Sequence, residues 1–117
     1  MNTLSRYRTP ARILRALASD SRLMIVDRLS RGECGAGDLT KLLGLNQSTV
    51  SRHLGVLRAY GIIDDRREGG IVIYTLLTPC VVNFLSCATQ VLKESRPFQP
   101  PRSNHKKGPS ISTRSGI

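Results

Sequence analysis

The sequence predicts a mainly α-helical domain that carries one small β-hairpin. Apolar residues recur every three or four positions along residues 10–60, which is the period of an amphipathic helix. Two short β-prone runs then flank the turn Glu68-Gly69-Gly70 and predict the hairpin. A proline-initiated, strongly apolar segment follows and predicts a last helix. With 117 residues, of which 39% are hydrophobic, the chain has the size of one domain with a modest core.

Two helices are predicted in the first third of the chain. Thr9 is the expected N-cap of the first helix, with Pro10 at its first helical position. Ser19 and Asp20 are expected to begin the second helix, and Gly32 to close it. The first helix has one apolar face, formed by Ile13, Leu14 and Leu17. The residues of the second helix that are expected to be buried are Leu23, Ile25, Val26 and Leu29.

A short helix, a tight turn and a longer helix follow. The short helix is predicted between Gly35 and Gly44, and Asn46 is the expected cap of the longer helix at residues 47–60. Small polar and basic side chains occupy the first turns of the longer helix, and residues 45–60 contain no acid. The residues predicted to face the core are Leu39, Leu42 and Leu43 on the short helix and Val50, Leu54 and Leu57 on the longer one.

The last predicted helix begins at Thr78-Pro79, a second cap followed by a proline. Its surface is apolar over much of its circumference, which is unusual for a terminal helix in a small domain. Such a surface favours contact with a second copy of the chain, so a homodimer through the terminal helices is expected. The apolar residues concerned are Val81, Val82, Phe84, Leu85, Ala88, Val91 and Leu92.

A short helix, a glycine turn, a second helix and then a hairpin form the winged helix-turn-helix pattern. In this fold the second helix lies in the major groove of duplex DNA, where Gln pairs with adenine and Arg with guanine. The hairpin carries Arg66 and Arg67 near its tip and is the expected wing, which lies along the DNA backbone or reaches a minor groove. The predicted DNA-binding residues are Gln47, Ser48, Thr49, Ser51, Arg52, His53, Arg66 and Arg67.

His53 admits two interpretations from the sequence. It lies beside Leu54, which is predicted to be buried, so its ring either contacts a phosphate or a base or packs at the edge of the core. In the second case it is expected to hydrogen-bond to the backbone. His53 lies on the longer helix, which is expected to read the DNA bases and is called the reading helix below. This position does not indicate a metal ligand.

The charge distribution favours a polyanion as the partner. The formal net charge is +10, and all eight acids lie between Asp20 and Glu94. Residues 1–9 are therefore expected to be a flexible basic end, and residues 10–94 the winged helix-turn-helix domain with its dimerisation helix. Residues 95–117 hold five cations and no acid, and are expected to be a disordered basic tail.

Other classes of protein fit the sequence less well. A small basic RNA-binding protein would carry similar charge, but aromatics make up only 4% of the chain, which disfavours recognition of single strands. No paired carboxylates, phosphate-binding loop or adjacent Cys and His indicate an enzyme. No apolar run reaches the roughly 18 residues of a membrane span. The N-terminus lacks the pattern of a secretory signal, so a cytoplasmic protein is expected.

Two stretches of the chain resemble the arsenical-resistance repressor (ArsR/SmtB) family over about residues 11–93. They read LASDSRLMIVDRLSRGE and DLTKLLGLNQSTVSRHLGVLRAYGIIDDRREGGIVIYTLLTP. The resemblance implies a homodimeric bacterial repressor of transcription that responds to a metal or to a thiol reagent. It also implies that Asp64 to Tyr74 form the wing and that the last helix forms the dimer interface. The recognition helix would carry Gln47, Ser48, Thr49, Ser51, Arg52 and His53.

The metal ligands of known family types are mostly missing here. The zinc-sensing type carries His, Asp and Glu ligands along the last helix, whereas residues 78–95 hold only Glu94 among these. The type that senses arsenic, lead and cadmium carries a Cys-x-Cys pair before the first helix of the motif. Those two positions correspond here to Gly35 and Gly37, and Cys34 stands alone beside them.

Three cysteines are candidate ligands for a soft inducer such as As(III), Sb(III) or a soft divalent metal, with no cofactor required. Cys80 and Cys87 lie about 10 Å apart along a helix, too far for one ion to bridge. A site must therefore include Cys34 or combine two chains. The alternatives are an oxidation switch at Cys80 or Cys87, and cysteines that only pack in the core or interface.

Overall fold

The computed structural model of the protein describes residues 3–95 and Pro101. The predicted fold class is confirmed: the chain is mainly helical, with a small antiparallel sheet after a helix-turn-helix. After a 3₁₀ helix at Thr3–Tyr7, the elements are α1 (Arg8–Leu17), α2 (Asp20–Leu29), β1 (Cys34–Gly35), α3 (Ala36–Leu43), α4 (Gln47–Ala59), β2 (Ile63–Glu68), β3 (Ile71–Leu76) and α5 (Pro79–Ser95).

The chain divides into two compact units, Met1–Ser86 and Cys87–Ile117. The first unit contains the helix-turn-helix, the sheet and the hydrophobic core. The described part of the second unit is the C-terminal half of α5 together with Pro101. The predicted basic tail at residues 95–117 lies outside the described residues, except for Ser95, which ends α5, and Pro101.

The first two helices begin differently. The prediction that Thr9 caps α1 is wrong, because α1 begins at Arg8, with Tyr7 at the N-cap and no side-chain cap. The 3₁₀ helix leads directly into α1, so Thr9 falls inside its first turn. The predicted start of α2 is confirmed: the helix begins at Asp20, and the Ser19 hydroxyl oxygen caps it by accepting a hydrogen bond from the Arg22 amide at 3.4 Å.

The core is built mainly from the inner faces of the helices. Leu42 is predicted to face the core but is 41% exposed, and Leu14 on the apolar face of α1 is 54% exposed. On the short helix α3, Leu39 alone is fully buried, and Leu42 lies on its flank. The buried hydrophobic residues are Ala16, Leu17, Ile25, Val26, Leu29, Cys34, Leu39, Val50, Leu54, Leu57, Ile62 and Ile63.

The sheet has the strand order β1-β3-β2, and all of its pairings are antiparallel. Strands β2 and β3 form the predicted hairpin, closed by Gly69 and Gly70 with φ angles of 58° and 86°. Two consecutive positive φ angles favour glycine and match the twist of a two-residue hairpin. The sequence did not predict β1, where Cys34 pairs with Tyr74, because a strand of two residues has no detectable period.

Helix α5 begins at Pro79 as predicted, and the Val81 amide donates to the Thr78 carbonyl oxygen at 3.0 Å. Val81 and Val82 pack against the core, whereas Phe84 is 60% exposed. In the described part of the chain, no helix has the length and apolarity to cross a membrane.

Candidate nucleic-acid interface

The turn before α4 fixes where that helix begins. Helix α3 ends at Gly44, whose φ of 69° lies in the left-handed region, and the Gly44 amide donates to the Thr40 carbonyl oxygen. Two residues later the Asn46 side-chain oxygen accepts from the Thr49 amide at 2.8 Å and from the Ser48 hydroxyl at 2.9 Å. The predicted cap is therefore confirmed, and the first turn of α4 is anchored at its N-terminus.

Helix α4 buries one face and exposes the other. Its apolar stripe of Val50, Leu54 and Leu57 is buried as predicted. On the opposite face, the first two turns present donors and acceptors of several kinds next to the amides of the helix N-terminus, which favour phosphate. The exposed polar residues of these turns are Gln47, Ser48, Ser51 and Arg52, and Thr49 is half-buried.

His53 is half-buried and contacts another helix. Its Nδ1 accepts a hydrogen bond from the Nε of Arg22 on α2 at 3.1 Å. Burial lowers the pKa of His53, and the charges of Arg22 and Arg52 lower it further. This position agrees with the interpretation in which the His53 ring packs at the edge of the core. Its hydrogen-bond partner differs from the expected one, because it is a side chain and not a backbone group.

On the wing, Arg66 is already paired with carboxylates. Its two terminal nitrogens donate to both carboxylate oxygens of Glu33 at 2.7 Å, and its Nε donates to Glu68 at 2.7 Å. These hydrogen bonds raise the pKa of Arg66, the one to Glu33 most, and the same contact lowers the pKa of Glu33. Sequence reasoning missed both acids; the spacing of Arg66 and Glu68 on one face of β2 is the only hint of this pairing in the sequence.

Two other arginines near this surface differ in their contacts. Arg58, in the last turn of α4, donates through its Nε to Asp65 of β2 at 2.7 Å and so ties the reading helix to the wing. The Arg67 side chain is exposed, and within residues 3–95 and 101 its guanidinium makes no hydrogen bond or ion pair. The same holds for Arg52 within these described residues. Arg52 and Arg67 are thus the predicted contacts whose guanidinium groups are available to an anion.

The three cysteines are all free thiols in different settings. Cys34 is 6% exposed in β1, whereas Cys80 and Cys87 are exposed on α5. Among the described residues, no group of three or more His, Cys, Asp or Glu is close enough to hold a metal ion. The predicted thiol ligands are therefore not brought together within the described chain.

A capped reading helix after a glycine turn, followed by a hairpin that carries Arg66 and Arg67, defines a winged helix-turn-helix DNA-binding domain. Comparison with known proteins supports this class. Residues 19–65 match the model of the family described as "Bacterial regulatory protein, arsR family". The chain is 44% identical over 64 residues to the biofilm growth-associated repressor of Agrobacterium fabrum, a match that spans 55% of each protein.

Longer matches extend over most of the described chain. The regulator Rv0081 of Mycobacterium tuberculosis is 33% identical over 87 residues, which are 74% of this chain and 76% of that protein. Its crystal structure superposes with a TM-score of 0.69 over 81% of this chain and 94% of that one, at 31% identity. The structure of reduced HlyU from Vibrio cholerae superposes with a TM-score of 0.66 over 72% and 92% of the two chains, at 31% identity.

The chain belongs to the arsR family of bacterial regulatory proteins. It is thus a DNA-binding regulator of transcription and not an enzyme, as the sequence indicates.

Proposed function

We propose that the protein is a sequence-specific repressor that binds operator DNA as a homodimer in the bacterial cytoplasm. The observation that carries this proposal is the exposed polar face at the start of α4. There Gln47 and Arg52 offer the side chains that pair with adenine and guanine in the major groove. Arg67 on the wing is free to contact phosphate. The Agrobacterium relative is itself named a repressor.

An apolar groove supports the homodimer. It has a volume of about 400 Å³ and is lined by Thr9, Pro10, Ile13, Leu14 and Phe84. Leu14 and Phe84 are large and more than half exposed, which is costly in water unless a partner covers them. A second copy that supplies the same surface would bury both and place two reading helices on successive turns of the major groove. The operator is then expected to be an inverted repeat.

An inducer that acts on thiols completes the proposal. As(III) and Sb(III) are soft ions that prefer thiolate ligands, and Cys80 and Cys87 are exposed to them. Because the described residues of one chain hold no cluster of ligands, an inducer site would combine thiols of two chains. Such an ion releases DNA only if it binds the low-affinity form of the dimer more tightly than the DNA-bound form.

Thiol oxidation is the second candidate for the inducing event. It is favoured by the exposure of Cys80 and Cys87 and by the similarity to HlyU, whose structure is described for the reduced protein. Oxidation needs an oxidant in the cell but no metal site, so it does not require several ligands in one chain.

The test begins with selection of a duplex from a random-sequence library by the wild-type protein. An enriched inverted repeat supports the repressor, and the absence of any enriched sequence contradicts it. The recovered duplex is then titrated in fluorescence anisotropy with As(III), Sb(III), Cd(II), Zn(II) and hydrogen peroxide. Cys34→Ser, Cys80→Ser and Cys87→Ser serve as matched variants.

The titration separates the inducers. Release by As(III) or Sb(III) that Cys80→Ser or Cys87→Ser abolishes identifies a metalloid sensor. Release by peroxide alone identifies a redox switch. Tight binding that no reagent reverses contradicts both, and leaves the three cysteines as packing residues of a repressor without a thiol inducer.

A further inference from the structure

The guanidinium of Arg22 connects three helices of the first unit. Its Nε donates to Nδ1 of His53 on α4 at 3.1 Å, and one terminal nitrogen donates to the Ala16 carbonyl oxygen of α1 at 3.1 Å. The backbone of Arg22 is held as well, since its amide donates to the capping hydroxyl of Ser19 at 3.4 Å. Arg22 thus links the end of α1 and the start of α2 to the middle of the reading helix.

The hydrogen bond between Arg22 and His53 gives α4 a directional contact, which the hydrophobic packing of the helix does not provide. The contacts of Val50, Leu54 and Leu57 decide which face of the helix is buried, but hydrophobic contacts are not directional. A hydrogen bond has a preferred length and angle, so the contact to His53 resists rotation of the helix about its axis. Arg52 is adjacent to His53 in the chain, so a rotation there would move its side chain directly.

We propose that Arg22 is a positioning residue for DNA recognition, which acts through His53 to fix the rotation of α4 and hence the placement of Gln47 and Arg52. The proposal rests on the proposed function, because it concerns the same reading helix. Arg22 need not touch DNA for this role. Its loss would weaken binding to the operator more than binding to unrelated DNA, since only sequence reading depends on exact side-chain placement.

The link requires a neutral imidazole. A protonated His53 carries an N–H at Nδ1, which would face the donating N–H of Arg22 and place two positive charges together. The charged groups that act on the ring are Arg22 from α2 and Arg52 from its own helix, and both lower its pKa. From α1, the group in this network is the uncharged carbonyl of Ala16.

The direction in which operator affinity changes with pH distinguishes a His53 that bonds to Arg22 from a His53 that contacts phosphate. The pKa of His53 in the folded protein lies below the ordinary value of 6.5 for histidine, so the stability that the neutral ring contributes is fully present above that pH. That contribution is lost as the pH falls toward the folded pKa, and operator affinity is expected to fall with it. A His53 that contacted phosphate directly would instead bind DNA more tightly when protonated.

The experiment measures anisotropy with the duplex selected by the wild-type protein and with an unrelated duplex of equal length. Arg22→Met removes both donors and one charge, and Arg28→Met on the same helix removes an equal charge without a contact to α4. We expect Arg22→Met to weaken operator binding on the order of tenfold relative to Arg28→Met, the size of a hydrogen bond to a charged group. Binding to unrelated DNA should change equally in the two variants.

A second variant tests the same link without removing Arg22. In His53→Asn the amide oxygen takes the place of Nδ1 as an acceptor but does not titrate. His53→Asn should bind the operator as tightly as the wild-type protein at about pH 8. At about pH 5.5 it should keep that affinity, whereas the wild-type protein is expected to bind more weakly. Because this variant keeps the hydrogen bond, it remains informative if thermal unfolding shows that Arg22→Met does not fold.

Three results would overturn the inference. Equal losses in Arg22→Met and Arg28→Met would show that only charge matters. Tighter operator binding at low pH that disappears in His53→Asn would place His53 on the DNA itself. A wild-type protein that selects no sequence would remove the proposed function and this inference together, whereas the first two results leave the repressor intact.

Discussion

The start of α4 and the wing both carry arginine, yet they offer their cations to a ligand in different ways. In α4, Arg52 extends from a capped helix and is exposed without a partner among the described residues. On the wing, Arg66 is held by Glu33 and Glu68, and only its neighbour Arg67 is available. A count of positive charges in the sequence therefore overestimates how many can contact DNA, because pairing inside the protein decides which are free.

The largest difference between the regions is expected in sequence discrimination. Arg52→Ala should remove about 1–3 kcal/mol of preference for the selected duplex over one with the paired guanine changed. Arg67→Ala should weaken both duplexes equally, since a phosphate contact carries no sequence information. Competition anisotropy with the two duplexes measures both effects. Equal loss of discrimination in the two variants would contradict the division of roles.

Glycine substitutions are also expected to affect the two regions differently. Their effect on the free energy of unfolding should be smaller than the effect of Arg52→Ala on discrimination. Gly44→Ala places a side chain at a φ of 69°, so it is expected to lower the free energy of unfolding by about 1–2 kcal/mol. Gly55→Ala, inside α4 with nothing within 4 Å of the added carbon, should raise it by up to about 1 kcal/mol. Urea unfolding followed by circular dichroism measures both.

The wing provides the matched control for this experiment. Gly69 also has a positive φ, but it lies at the exposed end of the hairpin. Gly69→Ala is expected to increase hydrogen exchange at the tip and to change global unfolding less than Gly44→Ala, because exposed tips open locally. A global loss as large as that of Gly44→Ala would show that the wing unfolds together with the helices.

The cap of the reading helix gives a third test. Asn46→Ala removes the acceptor for the Thr49 amide and should cost about 1 kcal/mol of stability. Asn46→Asp keeps an acceptor and should retain the stability, although its negative charge should weaken DNA binding. If Asn46→Ala unfolds at the same urea concentration as the wild-type protein, the cap contributes nothing to the fold.

The smallest expected effect concerns the pairing on the wing. Glu33→Gln combined with Glu68→Gln removes both negative charges that hold Arg66, which frees its guanidinium for phosphate. The slope of log affinity against log salt should then steepen by about one unit, whereas Arg67→Ala should reduce it by about one. Anisotropy in a salt series measures both slopes. An unchanged slope in the Glu33→Gln, Glu68→Gln double variant would mean that Arg66 does not reach the DNA even when it is free.

Local features of this fold were predictable from the sequence, and contacts between distant residues were not. The caps at Ser19 and Asn46 and the Gly69-Gly70 turn depend on neighbouring residues, and all three are where the sequence places them. The start of α1 differs because the preceding 3₁₀ helix overrides the cap that Thr9 offers.

The contacts that shape the candidate site join residues far apart in the chain. Arg22 and His53 are separated by 31 positions, and Glu33 and Arg66 by 33. No periodicity or spacing reports such pairs, because they arise only when helices and strands pack. The residue types of the interface were therefore predictable, but the engagement of His53 and Arg66 inside the protein was not.

The charged character of β2 has a consequence for how copies of this protein behave when crowded. It is an edge strand of the sheet, and five of its six residues, Asp64 to Glu68, are charged with both signs. Exposed strand edges invite pairing with strands of other molecules, and charged side chains oppose that pairing. The apolar strand β3 lies between β2 and the short strand β1, which pairs with Ile73 and Tyr74. The mixed charges of β2 thus oppose pairing of the outer edge of the wing with a strand of another copy.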